Sequence, residues 1–429
     1  MHKFAKLTVI GGGSSYTPEL LDGFIQHRDE LSVEEIALYD IDEDRLAILG
    51  GLVKRMIRRV ALPTRVILTH DRRAAVEGAD FVVSQIRVGQ MPARILDERI
   101  PLKFNVLGQE TVGVGGIFKA LRTIPVTLEI AKDVAALAPG AWFLNFTNPA
   151  GLITETLVKY SELERVVGLC NVPINSHRAV AELLGVADDR VWLDWLGLNH
   201  LGWIRGVYLD GQDVLPNLLQ RLQDDVPSSA FEHFPFDQRL LTALGLLPTY
   251  YLRYYYDTPR VLEEIQQAGR TRGEVVLEIE KALMERYSDP TLDTKPPELG
   301  QRGGALYSEV AIRLISSLLS DRRDVQILIV RNNGAIADLP EDVAVEVPAV
   351  VGAQGITALS QGTAPFQIKP LLEAVKTSEI LALESAMMGS RKQLLQALLV
   401  NPLVPDYIVA ERLMEELLKA HQDYLKQFS

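Results

Sequence analysis

The chain of 429 residues has a single cysteine, Cys170, and no long uninterrupted apolar run. One cysteine excludes an intrachain disulfide, which favours a reducing compartment. No stretch of about 18 apolar residues predicts a membrane-spanning helix. The start of the chain, from Met1 to Lys6, leads into a short strand and then glycines, without the apolar core of a signal peptide. We therefore expect a cytoplasmic protein that does not bind a membrane.

An excess of positive charge is also lacking. Lys and Arg total 44 against 56 Asp and Glu, which gives a formal net charge of −12. Such a chain is repelled by a polyphosphate backbone, so nucleic acid is excluded as an expected partner. A small anionic substrate remains compatible with this charge, because a pocket with a few arginines can be locally positive on an acidic protein.

The composition and length are those of two globular domains. With 47% hydrophobic and 23% charged residues, the chain does not have the composition of a disordered protein. Its length exceeds the roughly 250 to 300 residues at which one hydrophobic core usually stops growing. The pattern of predicted elements changes near Pro173. We therefore predict one domain over residues 1–173 and another over residues 174–429.

Short apolar runs alternate with helical periodicity in the first 170 residues. The six predicted strands are Leu7–Ile10, Ile36–Tyr39, Arg65–Leu68, Phe81–Gln85, Trp142–Phe146 and Val166–Leu169. Strands that alternate with helices predict a parallel sheet covered on both faces, and six of them fit the doubly wound Rossmann-type α/β order. The second half predicts a mixed α/β, largely helical domain, with strands over 203–209, 325–330 and 343–347 and one long helix over 368–399.

A glycine-rich turn joins the first predicted strand to a helix. Gly11 and Gly13 occupy the first two positions of the G-x-G-x-x-G fingerprint, and Tyr16 stands in place of the third glycine. Asp40 ends the second strand, where an acid accepts from the adenosine ribose hydroxyls and disfavours a 2′-phosphate. A plain glycine-rich turn is the alternative. The βαβ context and Asp40 favour a dinucleotide-binding domain with NAD, rather than NADP, as its cofactor.

Other polar residues fall in the same turn or follow the fourth and fifth predicted strands. Those that we predict to bind the dinucleotide are Ser14, Ser15, Asn145 and Thr147. Arg87 and Asn148 also follow these strands. In an open α/β sheet, ligands bind at the carboxyl ends of the strands. Solvated charge and turn formation are the alternatives, but the shared edge favours substrate or cofactor contact.

Cys170 directly follows the sixth predicted strand, and His200 lies in the segment Gly197–Gly202. Most lone cysteines are small buried hydrophobes, and a lone histidine is by default a core or loop residue. Together, a thiolate and an imidazole could hold a divalent transition metal with open positions for substrate oxygens.

The segment from Pro248 to Tyr256 forms a tyrosine cluster, because it contains five of the chain's 13 tyrosines. Such a cluster is ordinarily an aromatic core or a subunit interface. A tyrosine near a metal and an arginine can instead serve as a general base with a lowered pKa. The sequence pattern alone leaves both interpretations open.

Taken together, these motifs resemble glycoside hydrolase family 4, whose members are NAD- and metal-dependent glycosidases. The resemblance extends over nearly the whole chain. The segments that carry it are Gly11–Ser14, Gly108–Thr111, Gly113, Gly115–Gly116, Asn145–Pro149, Cys170–Pro173, Asn199–His200, the tyrosine cluster, Asn333–Ile336 and Leu339–Pro340. The combination is specific, whereas each motif alone is weak.

The resemblance implies a chemical cycle. NAD takes a hydride from C3 of the sugar, a base removes the C2 proton, the aglycone is eliminated at C1, water adds, and the hydride returns. Tyr251 matches the family's Pro-x-x-Tyr-x-Arg pattern and is implied as the base. Cys170 and His200 are implied as ligands of a divalent metal, with Mn²⁺ expected ahead of Fe²⁺, Co²⁺ or Ni²⁺. The C-terminal domain is then the substrate, metal and oligomerisation domain.

The resemblance also indicates the substrate. Relatives that act on α-linked 6-phosphosugars carry Asp after the metal-binding cysteine, whereas Asn171 here resembles the 6-phospho-β-glucosidases. The implied reaction hydrolyses 6-phospho-β-glucosides, such as cellobiose 6-phosphate, to glucose 6-phosphate and an aglycone. Arg87, Asn148 and Arg272 are expected to bind the phosphate, and Asn171 to contact substrate. Glu110 is expected, with equal weight, to position a metal-bound water or to cap a loop.

Several alternative functions remain, within the family and outside it. Within the family they are a 6-phospho-α-glucosidase, an α-galactosidase or an α-glucuronidase. Outside it, an NAD-dependent 2-hydroxy acid dehydrogenase is the main rival, because the two-domain plan is similar to that of lactate and malate dehydrogenases. A non-catalytic NAD sensor is the third class. From the family and the aromatic, helical second half we expect a homodimer or homotetramer.

Overall fold

The computed structural model describes residues 2–224, 233–303 and 306–428. Its strands β1 to β13 are His2–Ile10, Leu31–Tyr39, Arg65–Thr69, Phe81–Ser84, Trp142–Asn145, Val166–Gly168, Val191–Leu198, Leu201–Leu209, Gln212–Asp213, Leu247–Pro248, Asp324–Arg331, Ala344–Gly352 and Gly355–Ala358. The helices α1 to α16 are Thr17–Gln26, Glu43–Arg59, Arg72–Val76, Gln90–Leu102, Gly113–Leu137, Ala150–Tyr160, Val172–Leu184, Leu215–Asp224, Gln238–Leu244, Arg253–Tyr256, Thr258–Ala268, Arg272–Ser288, Tyr307–Ser320, Lys369–Met388, Arg391–Val400 and Tyr407–Ala420. Within these described residues, no helix combines the length and the apolar character that a bilayer crossing requires.

The larger sheet confirms the predicted doubly wound fold. Its first six strands are parallel in the order β3-β2-β1-β4-β5-β6. This is the order of a dinucleotide-binding Rossmann fold. Beyond β6 the sheet continues with β11, β12 and β13, all antiparallel to their neighbours. These three strands come from after Pro173, so the large sheet crosses the predicted domain division, which stays a prediction.

Burial on both faces explains why the central strands are short apolar runs. Neighbouring residues of a strand point to opposite faces. Accordingly, Val9 and Val83 pack in one core cluster, while Ile10 and Val82 pack in another. All four side chains are fully buried. Such strands read as continuous hydrophobic segments rather than as alternating ones.

The predicted long helix over 368–399 is wrong in one respect, because the chain forms two helices there, α14 and α15. Gly389 ends α14 with a φ of +64°, a left-handed conformation that glycine adopts without a steric cost. Ser390 then caps α15 by accepting a hydrogen bond from the Gln393 backbone N–H. The periodicity continues through this break, and the local Gly-Ser sequence was the signal for it.

The second sheet is antiparallel and contains β7, β8, β9 and β10. Its central hairpin joins β7 to β8 through a two-residue turn, Asn199 and His200. Strand β7 packs against β12 of the large sheet. The turn of the small sheet therefore lies beside the carboxyl end of β6, where Cys170 is found.

Candidate active site

The glycine-rich turn after β1 packs closely against the second strand. Gly11 adopts a φ of +93°. A Cβ on Gly12 would lie 2.8 Å from Leu38 Cβ, and one on Gly13 would lie 2.8 Å from Asp40 Oδ2. Glycines are therefore required here for steric reasons. The Gly13 backbone N–H donates to Asp40 Oδ2 over 2.8 Å, so the turn and the acid form one unit.

Tyr16, which replaces the third glycine of the fingerprint, has a structural partner. Its hydroxyl donates to the backbone carbonyl of Gly303, and the Arg302 guanidinium lies 3.9 Å above the centre of its ring. A cation over an aromatic face is attracted by the ring quadrupole. The side chain therefore joins the turn to the segment Pro297–Arg302. Helix α1 begins directly after Tyr16 and directs its N-terminus at the turn.

The other residues predicted to bind the dinucleotide use their side chains within the protein. Ser15 Oγ donates to Glu280 Oε1 over 2.9 Å. Asn145 Nδ2 donates to Thr154 Oγ1 over 3.1 Å, and the Ile86 backbone N–H donates to Thr147 Oγ1. Ser15, Asn145 and Thr147 are buried as well as hydrogen-bonded within the protein. Their side chains therefore stabilise the loops around the proposed dinucleotide site. Ser14 is partly exposed.

The residues present fit a bound dinucleotide. The N-terminus of α1 faces the turn, and the positive end of the helix dipole there favours a pyrophosphate. Asp40 is partly exposed at the end of β2, where a ribose would lie, and its Oδ1 accepts from the Asp42 backbone N–H over 3.0 Å. The lack of a Cβ at Gly12 and Gly13 lets the turn pack directly against Leu38 and Asp40, which holds Asp40 beside the turn.

Cys170 and His200 meet at the same edge of the sheet. Cys170 Sγ lies 3.5 Å from His200 Nε2, and the two residues are 6% and 4% exposed. His200 has a φ of +64°, a left-handed conformation that costs a non-glycine residue roughly 1 to 3 kcal/mol and is concentrated at functional sites. Burial lowers the pKa of His200 to about 3, so its ring is the neutral form that binds metals.

This pair fits a divalent transition metal. The 3.5 Å between Cys170 Sγ and His200 Nε2 would let both atoms bind the same metal ion, and a thiolate with an imidazole is a donor set that divalent transition metals accept. His200 Nδ1 is buried without a hydrogen-bond partner in the described part of the chain. Burial raises the pKa of the Cys170 thiol, so its thiolate needs a nearby cation. No group of three or more His, Cys, Asp and Glu side chains with metal-binding geometry occurs among residues 2–224, 233–303 and 306–428.

Tyr251 stacks on His200. Their ring centroids are 3.8 Å apart and the rings are nearly parallel, at 5°. Burial raises the pKa of Tyr251 well above its usual range, and the charges of Tyr254 and Cys170 raise it further. The lowered pKa expected of a general base is therefore not produced by these neighbours and requires a positive charge. Tyr251 as a residue is partly exposed.

Glu110 is the centre of a buried ion cluster. Its Oε2 contacts the Arg87 guanidinium, lies 3.1 Å from Arg94 Nε and lies 3.3 Å from Lys119 Nζ. Burial raises the pKa of Glu110, but the three cations outweigh it and hold that pKa well below its usual range. Burial, with Arg87, lowers the pKa of Lys119 to about 7. Arg94 and Lys119 lie inside helices with no motif around them, so the sequence carried no signal for their convergence.

Of the other predicted substrate residues, Asn148 and Asn171 follow strands β5 and β6, whereas Arg272 begins helix α12. Asn148 hydrogen-bonds Tyr307 through its side chain, and Asn171 directly follows Cys170 at the start of α7. Arg272 is exposed and donates to the backbone carbonyl of Arg302 over 3.2 Å. Of the predicted phosphate ligands, only Arg87 belongs to the Glu110 cluster.

Fold and site together define a dinucleotide-binding α/β protein with a buried Cys-His pair at the carboxyl edge of its sheet. The fold alone is similar to that of malate dehydrogenase from Plasmodium falciparum, at a TM-score of 0.53 and 12% identity, covering 99% of this chain and 100% of that one. The expected similarity in fold to malate dehydrogenase is confirmed.

The chain belongs to family 4 of the glycosyl hydrolases. The model of that family matches residues 6–186, and the model of its C-terminal domain matches residues 195–404. The probable 6-phospho-beta-glucosidase of Bacillus subtilis is 47% identical, over 100% of this chain and 99% of its own. The structure of 6-phospho-beta glucosidase from Thermotoga maritima with manganese, NAD+ and glucose-6-phosphate is 38% identical at a TM-score of 0.91, covering 98% of this chain and 99% of that one.

Proposed function

We propose that the protein hydrolyses 6-phospho-β-glucosides, such as cellobiose 6-phosphate, to glucose 6-phosphate and an aglycone. NAD and a divalent metal, Mn²⁺ first, are the proposed cofactors. The observation that carries the proposal is that Cys170, His200 and Tyr251 are in contact at the sheet edge that also carries the glycine-rich turn. The identity of 47% and 38% to 6-phospho-β-glucosidases over almost the whole chain supports the same substrate class.

The proposed roles follow from the contacts of each residue. Gly11, Gly13 and Asp40 hold the dinucleotide, and Cys170 with His200 holds the metal. When bound, NAD supplies reversible hydride transfer at C3 of the sugar, and the metal supplies a positive charge that polarises neighbouring oxygens. The other residues of the glycine-rich turn, Ser14 and Ser15, and the buried pair Asn145 and Thr147 support the loops around the dinucleotide.

Tyr251 is the proposed base that removes the C2 proton. A general base must form a hydrogen bond to the group that it deprotonates, and Tyr251 lies directly against His200 of the proposed metal site. Its stacking on His200 holds the ring in one orientation. Because burial raises its pKa, the phenolate form depends on nearby positive charge. The Arg94 guanidinium interacts electrostatically with Tyr251 and supplies part of that charge.

The charge of the Glu110 cluster suits an anionic substrate. Arg87, Arg94 and Lys119 face Glu110, and Arg94 also pairs with Glu98 over 2.8 Å. With the lysine protonated, three cations and two carboxylates leave one positive charge in a buried region, where it attracts a phosphate. Arg87 is the proposed phosphate ligand within this cluster, with Asn148 and Arg272 outside it.

The β-linked preference rests on Asn171. An amide cannot protonate a leaving group as a carboxylic acid does, and Asn171 occupies the position where α-specific relatives are expected to have Asp. A phosphorylated disaccharide or aryl glucoside with a β-linkage is therefore the proposed substrate.

The test is hydrolysis of 4-nitrophenyl β-glucoside 6-phosphate with NAD, Mn²⁺ and a thiol reductant. Parallel reactions lack one component, or contain the α-anomer or the unphosphorylated glucoside. We expect nitrophenol release that requires NAD and phosphate and yields no net NADH. Cleavage of the α-anomer alone would contradict the substrate assignment. Accumulation of NADH with a 2-hydroxy acid, without glycoside cleavage, would identify a dehydrogenase instead.

We also propose that the protein is a cytoplasmic homodimer or homotetramer. A metal-binding thiolate needs a reducing environment, which the cytoplasm provides. Exposed apolar side chains of the C-terminal helices, including Met388, Tyr407 and Ile408, supply surface that a second copy could cover. Light scattering coupled to size-exclusion chromatography measures the mass, and a monomer at micromolar concentration would contradict this proposal.

A further inference from the structure

The side chain of Asn199 is bonded on both sides of its amide. It lies in the two-residue turn between β7 and β8, directly before His200. On one side, its Oδ1 accepts from the Gly151 backbone N–H over 3.2 Å. On the other side, its Nδ2 donates to Glu346 Oε1 over 3.1 Å, and the side chain also hydrogen-bonds Cys170. One amide therefore connects Cys170, of the Cys-His pair, to Gly151 and to Glu346.

Glu346 lies at this position because of strand register. Ile329 of β11 pairs with Gly168 of β6 on one side and with Glu346 of β12 on the other. Gly168 is two residues before Cys170, so the register brings the carboxyl group next to the thiol. Glu346 is 1% exposed, and its Oε2 has no partner within residues 2–224, 233–303 and 306–428. A buried carboxyl group is costly, so its hydrogen bond to Asn199 carries information about its role.

The partners of the amide determine which way it faces. An asparagine oxygen can only accept, and its nitrogen can only donate. Gly151 offers a donor on one side, whereas Glu346 and Cys170 offer acceptors on the other. A flipped amide would direct Nδ2 at the Gly151 N–H, so that two donors face each other and this bond is lost. The network therefore holds an N–H group against the Cys170 sulfur.

We propose that Asn199 is a positioning residue that orients the Cys170 thiolate for the metal, with its own amide oriented by Gly151 and Glu346. The inference rests on the proposed function, in which Cys170 and His200 hold a divalent metal. A hydrogen bond from a neutral donor to a thiolate is charge-assisted and stronger than a neutral one. Partners that orient metal ligands in this way typically change metal affinity about 10- to 100-fold when they are removed.

Asn199→Asp is the sharpest variant, because it keeps the shape and replaces the donor by an acceptor. We expect it to weaken Mn²⁺ and Co²⁺ binding about 10- to 100-fold, measured by calorimetry. The thiolate-to-Co²⁺ charge-transfer absorption should decrease in parallel, which reports on the sulfur–metal bond independently of activity. NAD affinity should be unchanged. Asn401→Asp is the control, because Asn401 is also an asparagine with a donated side-chain hydrogen bond, is more buried than Asn199, and donates to Ser378 rather than to Glu346.

Two Glu346 variants test the same network with Asn199 in place. Glu346→Gln keeps an acceptor for the amide and should retain metal affinity within about threefold. Glu346→Leu removes that acceptor and should weaken metal binding about tenfold. These variants decide the question if Asn199→Asp does not fold.

The outcomes separate the inference from the proposed function. If wild-type protein shows the charge-transfer band and the Asn199 and Glu346→Leu variants keep both band and affinity, the positioning role is wrong while the metal site stands. If wild-type protein shows no such band and Cys170→Ser binds Co²⁺ equally well, the metal site itself is wrong and the inference is overturned with it.

Discussion

Replacement of Glu110 by glutamine tests the ion cluster that we propose as the phosphate region. The substitution keeps the size of the side chain and removes its charge. Arg87, Arg94 and Lys119 then face an amide in a region where their side chains are 22%, 8% and 2% exposed. Arg94 keeps its pair with Glu98, but Arg87 and Lys119 lose the carboxylate that they face, so we expect the variant to be less stable than wild type.

The magnitude follows from the number and kind of cations. Removal of one partner from a buried ion pair costs about 3 to 5 kcal/mol. Arg87 and Arg94 cannot release a proton to relieve the repulsion, but Lys119 can, because its pKa is already lowered to about 7. We therefore expect the lower end, a loss of about 3 kcal/mol in the free energy of unfolding at pH 7. Lys119→Met in the same chain should recover about 1 kcal/mol.

Urea unfolding followed by fluorescence and circular dichroism measures these differences for wild type, both single variants and the double variant. Glu30→Gln is the control, since Glu30 pairs with Arg322 at the surface and its loss should cost less than about 1 kcal/mol. If Glu110→Gln lies within about 0.5 kcal/mol of wild type at pH 7, Glu110 is not the charge centre and the reasoning is refuted.

The pH dependence has a defined sign. The pKa of Glu110 is lower in the folded than in the unfolded state, so its contribution is present above the unfolded value of about 4.3 and is lost as the pH falls toward the folded value. The Lys119→Met variant removes the titration of the lysine. The difference in free energy of unfolding between this variant and the double variant with Glu110→Gln should be equal at pH 7 and pH 5 and smaller at pH 3.5. A gap that grows on acidification would contradict this account.

The remaining predictions address the three parts of the site separately. Gly13→Ala forces a Cβ to 2.8 Å from Asp40 Oδ2, so NAD affinity measured by calorimetry should fall at least about tenfold while metal binding is retained; equal NAD affinity would argue against the turn as the cofactor site. Cys170→Ser should lower Mn²⁺ affinity at least about tenfold and leave NAD affinity unchanged, whereas unchanged Mn²⁺ affinity would exclude the thiolate ligand. Tyr251→Phe keeps the stacking on His200 and should lower kcat at least about 100-fold with unchanged Mn²⁺ affinity; a kcat within threefold of wild type would show that another group is the base.

Part of this architecture was predictable because its signals are local. A buried parallel strand is a short apolar run, and all six predicted N-terminal strands occur within a few residues of their expected bounds. The glycines of the first turn were recognisable because only a residue without a Cβ fits between β1 and β2. The motifs after the strands identified the family, which the matches over residues 6–186 and 195–404 confirm.

Other features depend on segments that are far apart in the chain. The apolar run at 343–347 was predicted as a strand, but only the fold pairs it, through β11, with the sheet that carries Cys170. Ser15, Asn145 and Thr147 belong to recognisable motifs, yet their side chains are used inside the protein, because a motif specifies a residue type and not its hydrogen-bond partner.

The sequence by itself determined the class of fold, the glycine-rich turn, and Cys170 and His200 as metal candidates, because each is recognisable from the residues around it. Tertiary structure alone decided that Arg94 and Lys119 converge on Glu110, and that Glu346 stands beside Asn199. The physical reason is that charges and hydrogen-bond partners interact over a few ångströms in space, while strand register and helix packing decide which distant residues come within that range.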